Sequence, residues 1–132
     1  MTTTTSVHGD IFDALDATSL HVTYGPATTL PSTGGLVAQS AVLWPLPRLN
    51  TYARSNGESS GGTDRLLITC VGATTRDALA VADKVEAAIG GMRLSSKGGT
   101  LRQIGATIPA PEPNADPVRV SMAVEYSTVT KG

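Results

Sequence analysis

Aromatic side chains are scarce in this sequence: one tryptophan, one phenylalanine and three tyrosines make up 4% of its 132 residues. So few rings exclude a core built on aromatic stacking and leave the packing to aliphatic side chains. Cys70 is the single cysteine, which rules out an internal disulfide and a cysteine metal cluster. Net charge is nearly absent too. Lys and Arg total 10 and Asp and Glu total 11, giving −1 and a pI near 6.0. That balance argues against an electrostatic clamp on phosphate backbones. No apolar run approaches the roughly 20 residues that span a bilayer. The opening residues, Met1-Thr2-Thr3-Thr4-Thr5-Ser6, lack the basic start and apolar centre of a signal peptide and read as a disordered lead-in over 1–7.

What is present is a globular pattern, 40% hydrophobic with a mean hydropathy of +0.03, long enough for one core. Its most informative stretch is 64–89. The apolar strand Arg65-Leu66-Leu67-Ile68-Thr69-Cys70-Val71 breaks at Gly72 and runs directly into an amphipathic helix over 75–89. Thr74 and Asp77 fit a capping box. Ala78, Ala82, Val85 and Ile89 form an apolar stripe that Leu79 widens, with Asp77, Asp83, Lys84 and Glu86 largely toward water. Gly90-Gly91 closes the helix.

Upstream, Ile11, Phe12 and Leu15 predict a short helix over 8–16, and 20–24 alternates like a brief strand ended by Gly25-Pro26. Residues 25–36 carry two prolines and three glycines and read as a loop. Ala41-Val42-Leu43-Trp44 is extended, and Pro45 and Pro47 place it at a sheet edge or end its pairing at Trp44. Residues 49–63 form a long polar loop, of the kind that is usually functional or disordered. Downstream, 101–108 reads as a strand. The cleanest alternation follows: Val118, Val120, Met122, Val124 and Tyr126 on one face, Arg119, Ser121, Ala123, Glu125 and Ser127 on the other. The expected fold is α+β: an antiparallel β-sheet of strands of mixed length, with the short N-terminal helix and the main helix, 75–89, packed on one face. Residues 1–132 form a single domain.

Chemistry is hard to find. His8 and His21 have no carboxylate or cysteine at ligand spacing, and no nucleophile elbow, phosphate loop or zinc signature occurs. The glycine pairs at 34–35, 61–62, 90–91 and 98–99 are turns. Asp10, Asp13 and Asp16 read as the solvated face of the first helix. Cys70, inside an apolar strand, reads as a small hydrophobe. The expectation is no catalytic, cofactor or metal site and no enzymatic activity. Candidate interface residues are Arg48, Tyr52 and Arg54 in and beside the long loop and Arg65 at its far end, because aromatic and arginine side chains dominate interface hot spots.

The element order, with local motifs, resembles the tail terminator proteins of long-tailed (siphovirus-like) bacteriophages, of the actinobacteriophage type. Ala41-Val42-Leu43-Trp44-Pro45 resembles that family's apolar-aromatic-Pro strand end, before a Gly/Ser/Arg-rich loop. Ile68-Thr69-Cys70-Val71-Gly72 resembles its strand end, and Ala78-Leu79-Ala80-Val81-Ala82-Asp83-Lys84-Val85 its helix. The resemblance covers about residues 10–127. It implies a homohexameric ring that caps the head-proximal end of the tail tube and stops its polymerisation. The ring would meet the major tail tube protein on one side and a head-completion or neck protein on the other, with DNA passing through the lumen without specific binding. The implied location is the virion, after assembly in the host cytoplasm. Two alternatives stand beside it: a head-closure or neck protein, and a ferredoxin-like ligand-binding regulatory module. An enzyme whose groups converge only in space ranks third.

Overall fold

The computed structural model describes residues 4–25, 30–33, 36–46, 61–92, 100–112 and 118–131. In chain order these form α1 (Thr4–Asp16), β1 (His21–Tyr24), β2 (Ser32–Thr33), β3 (Leu36–Val37), β4 (Ser40–Pro45), β5 (Gly61–Gly72), α2 (Thr75–Ile89), β6 (Arg102–Ala106), β7 (Ala110–Pro111) and β8 (Val120–Lys131). The fold is α+β. Its main sheet has the order β1-β4-β5-β8-β6, with β7 also paired to β8, while β2 and β3 make a separate two-stranded ribbon.

The centre of the sheet is the β5–β8 pair, and its period-two alternation sets which face is buried. Leu66 lies opposite Tyr126, Ile68 opposite Val124 and Cys70 opposite Met122; all six are buried under the helices. On this inward face α2 lays Ala78, Val81, Val85 and Ile89, each 0% exposed. Burying an aliphatic side chain stabilises the fold by roughly 2 kcal/mol, so this stripe is a principal attachment of helix to sheet. It differs from the expected stripe by a small rotation: Val81 is inside, Ala82 half-buried, and Leu79 46% exposed. The helix ends match the sequence reading. Thr74 Oγ1 accepts from the Asp77 N–H at 3.2 Å, the Gly90 N–H donates to the Glu86 carbonyl at 2.8 Å, and Gly91 takes a φ of 77°.

Helix α1 buries Ile11 and Leu15 in the same core and stacks Phe12 on Tyr24, ring centroids 5.0 Å apart. It starts at Thr4 rather than His8, so residues 4–7 of the expected lead-in are helical. Once tertiary packing holds a helix, each residue added at its end gains a hydrogen bond at little cost. Lys84 ties the layers together, its Nζ donating to Gln39 Oε1 at 2.5 Å and Ser19 Oγ at 3.4 Å.

Five further expectations need correction. Strand β4 is interior, parallel to β1 on one side and antiparallel to β5 on the other. Its proline is tolerated because β1 reaches only Leu43, so no β1 partner faces Pro45. The sheet is therefore mixed rather than wholly antiparallel. Within 25–36, β2 and β3 pair Ser32 with Val37 and Thr33 with Leu36; Leu30 and Val37 earn this order by covering Val42 and Val71. Strand β6 covers only 102–106 of the expected 101–108, with a register shift between Gln103 and Gly105. Finally, β5 begins at Gly61, which takes 61–63 out of the expected loop because β8 is long enough to pair with them; residues 47–60 lie outside the described residues. Strand β4 follows β5 only from Leu66 to Val71, and β6 follows β8 only as far as Ser127. Among the described residues, 61–64 and 128–131 thus extend past the sheet as a two-stranded ribbon.

Candidate functional site

The helices cover one face of the sheet, and the residues that alternate out of the core make the other. Strand β5 places Arg65, Leu67 and Thr69 there, β8 places Ser121, Ala123, Glu125 and Ser127, and β4 places Val42 and Trp44. Leu30 and Val37 cover the Val42–Val71 end; the rest of these side chains are half-buried or exposed, not sealed beneath a helix.

Trp44 anchors this face. Its Nε1 donates to Thr69 Oγ1 at 3.1 Å on the neighbouring strand, and its ring lies against the backbone of Gly25, where an added Cβ would stand 2.6 Å from ring carbons. Only a glycine allows that approach. Beside the indole runs a groove of about 100 Å³ whose apolar wall is Leu30, Val42, Trp44 and Val71. Glu112 and Arg119 close its polar side, Arg119 Nε standing 2.6 Å from Glu112 Oε2 while Nη2 donates to Oε1 at 3.3 Å. The shorter approach is Coulombic; it lacks the alignment of a hydrogen bond.

Of the four candidate interface residues, Arg65 stands on this face. Arg48, Tyr52 and Arg54 lie outside the described residues. Arg65 is paired with Ser127, which on its other side is paired with Arg102 of β6. Directly opposed residues share a face, so two arginines flank one serine in a single cross-strand row. Arg65 Nε is buried without a hydrogen-bond partner among the described residues. Arg102 was missed by the sequence reading, as was the Trp44–Thr69 bond. Both depend on which strands are neighbours and which of their residues stand opposite, and that joins segments far apart in the sequence.

On the helix side the polar groups serve the fold. Tyr126, 0% exposed, donates its hydroxyl to Glu86 Oε2 at 2.5 Å, so Glu86 is a partner of the core rather than only a solvated acid. Burial, and then the hydrogen bond and charge of Glu86, push the Tyr126 phenol upward. Burial pushes the Cys70 thiol from its ordinary 9.0 up to about 12, which leaves it protonated and inert at neutral pH. Among the described residues no group of three or more His, Cys, Asp or Glu side chains could hold a metal ion, and no helix is long and apolar enough to cross a membrane.

These two shifts predict a loss of stability in alkali. In the unfolded chain the thiol loses its proton near 9.0, in the fold only near 12. Between those values unfolding releases a proton, so stability falls by about 1.4 kcal/mol per pH unit for this group; below the lower value its contribution is complete. Tyr126 acts in the same direction above its ordinary 10.0. Urea titrations at pH 8 to 11 should show a shallower decline for Cys70→Ala and for Tyr126→Phe than for wild type. Equal slopes in all three would mean that neither group titrates as described.

No family model and no curated protein matches the chain. A solved structure is similar to it: a chain from the virion of a native gene transfer agent particle, with a TM-score of 0.56 and 16% sequence identity, over 98% of this chain and 94% of that one. The likeness is one of fold. It extends nearly end to end in both chains.

Proposed function

We propose that this chain is a structural protein of a phage-like virion, and within that class a tail terminator: a ring, most simply of six copies, that caps the head-proximal end of the tail tube. The observation that carries the reading is the near end-to-end fold likeness to a chain of a gene transfer agent virion. Three motifs sharpen it: the Trp44-Pro45 strand end, the Thr69-Cys70-Val71-Gly72 strand end and the 78–85 helix all resemble tail terminators. The activity is assembly rather than catalysis. One side of the ring meets the major tail tube protein, the other a head-completion or neck protein, and DNA crosses the lumen without specific binding. A formal charge of −1 suits that passage, since a strongly basic lumen would hold DNA through its phosphates. Assembly takes place in the host cytoplasm and the product resides in the virion.

Heterologous contacts between identical subunits close into rings when the rotation permits. Mass measurement and negative-stain imaging of the purified protein, alone and on isolated tails, should show a ring of six at one tube end. Removing the gene should yield tubes of uncontrolled length that fail to join heads. A protein that stays monomeric at high concentration and is missing from tails would refute the proposal. Rings found on capsids without tails would favour the head-closure alternative.

A further inference from the structure

Two charged surfaces of this fold have no ion pair among the described residues, and they match each other. The first is the outward side of α1. Asp10, Asp13 and Asp16 are all exposed there, opposite buried Ile11 and Leu15. Asp13 and Asp16 stand in the last turn, which holds no basic residue. A helix C-terminus carries the negative end of the macrodipole, where acids are unfavourable and bases are preferred. These acids therefore work against the helix that bears them. The second surface is the Arg65–Ser127–Arg102 row on the helix-free face, where Arg65 Nε is buried without a hydrogen-bond partner and neither arginine has an ion pair among the described residues. A buried cationic nitrogen left unpaired costs stability. Glu125, one row along, pairs with neither of them.

We propose that the acidic side of α1 in one copy docks on the Arg65–Arg102 row of a second copy. The dimensions agree. Asp10 to Asp16 spans about 9 Å along a helix axis, and Arg65 to Arg102 spans about 9.5 Å across two strand spacings. The two surfaces lie on opposite faces of the sheet, α1 being packed with α2 on the inward one. A subunit that offers its helix to one neighbour keeps its arginine row free for the next. That is a head-to-tail contact, the class that closes rings, and the inference rests on the ring reading above.

Sedimentation velocity at low salt tests it by charge exchange. Arg102 is exposed, so Arg102→Glu should fold and melt like wild type. Arg102→Glu alone, and Asp13→Lys with Asp16→Lys alone, should each weaken self-association at least about tenfold, because like charges then meet across the contact. All three changes in one chain should restore much of it, and raising the salt should weaken the wild-type contact. Cross-linking supplies a second measurement. Cys70 is buried and unreactive, so an Asp13→Cys chain mixed with an Arg102→Cys chain should give a mixed disulfide dimer that neither forms alone. A wild-type ring that persists in every charge variant, with no mixed dimer, overturns this contact and leaves the ring reading standing. A wild type that never associates, in solution or on tails, overturns both.

Discussion

Val85→Asp should come close to unfolding the subunit. Val85 is 0% exposed, in the middle of the stripe by which α2 lies on β5 and β8. The substitution removes apolar packing and places a carboxylate where it has no partner. Burying such a group unpaired costs several kcal/mol; together with the lost packing we expect about 4 kcal/mol or more, at the extreme of single substitutions. Domains of this size have a total stability of about 5–15 kcal/mol. Val81→Asp should behave alike. Leu79→Asp is the informative control, since Leu79 is 46% exposed and a surface change costs about 0.5 kcal/mol or less. Denaturant melts of the three variants check the facing of α2. Equal losses at 79 and 85 would mean that the helix is rotated from the position described.

Gly72→Val is the second large effect, and its cause is steric rather than hydrophobic. A Cβ on Gly72 would stand 2.4 Å from Asp77 Cβ and 2.7 Å from both the Ala78 backbone nitrogen and the Asp77 carbonyl carbon. Two of those contacts are backbone atoms in the first turn of α2, so no side-chain rotation relieves them. The helix must move off the strand end or the strand must bend, and overpacking against backbone costs about 3 kcal/mol, the upper end of the usual range. Gly105→Ala should be mild by comparison, because nothing lies within 4 Å of its added Cβ. Thermal melts of both variants should separate them by about 10 °C, using the usual few degrees per kcal/mol. A Gly72→Val protein that melts with wild type would remove the close strand-to-helix approach from the account.

The elements that sequence made plain are those whose signals are local. Thr74, Asp77 and Gly90-Gly91 bound α2 to the residue because caps are set by a few adjacent backbone groups. The alternation expected from Val118 to Tyr126 announced both faces of β8 because a strand's period is two, although Val118 itself lies before the strand and is 69% exposed. Strand order is different. Pro45 and Pro47 argued for an edge or for pairing that ends at Trp44; β4 is interior and its pairing ends one residue later, at Pro45, since what matters is how far β1 extends, and that is a property of another strand. The exchange of Leu79 for Val81 on the buried stripe is a small rotation of the helix about its axis, set by its packing on the sheet, which periodicity alone does not contain. For the site, Arg65 was legible as an arginine beside a polar loop. Its pairing through Ser127 with Arg102 required the β5–β8–β6 register, and Trp44's bond to Thr69 joins residues 25 positions apart.

The ribbon of residues 61–64 and 128–131 has a consequence of its own. Among the described residues these two strands have no third partner in the ladder, and two strands alone are marginal in water; Thr128, 3% exposed, ties the inner end of the ribbon to the body of the subunit. The remainder of β5 and β8 is clamped by β4, β6 and α2 and opens only with the whole subunit. One pair of strands thus grades in local stability along its length, lowest toward the ribbon's tip and highest between β4 and β6. A neighbour that grips the ribbon can order it with little effect on the core's own equilibrium, and losing that neighbour leaves the core folded.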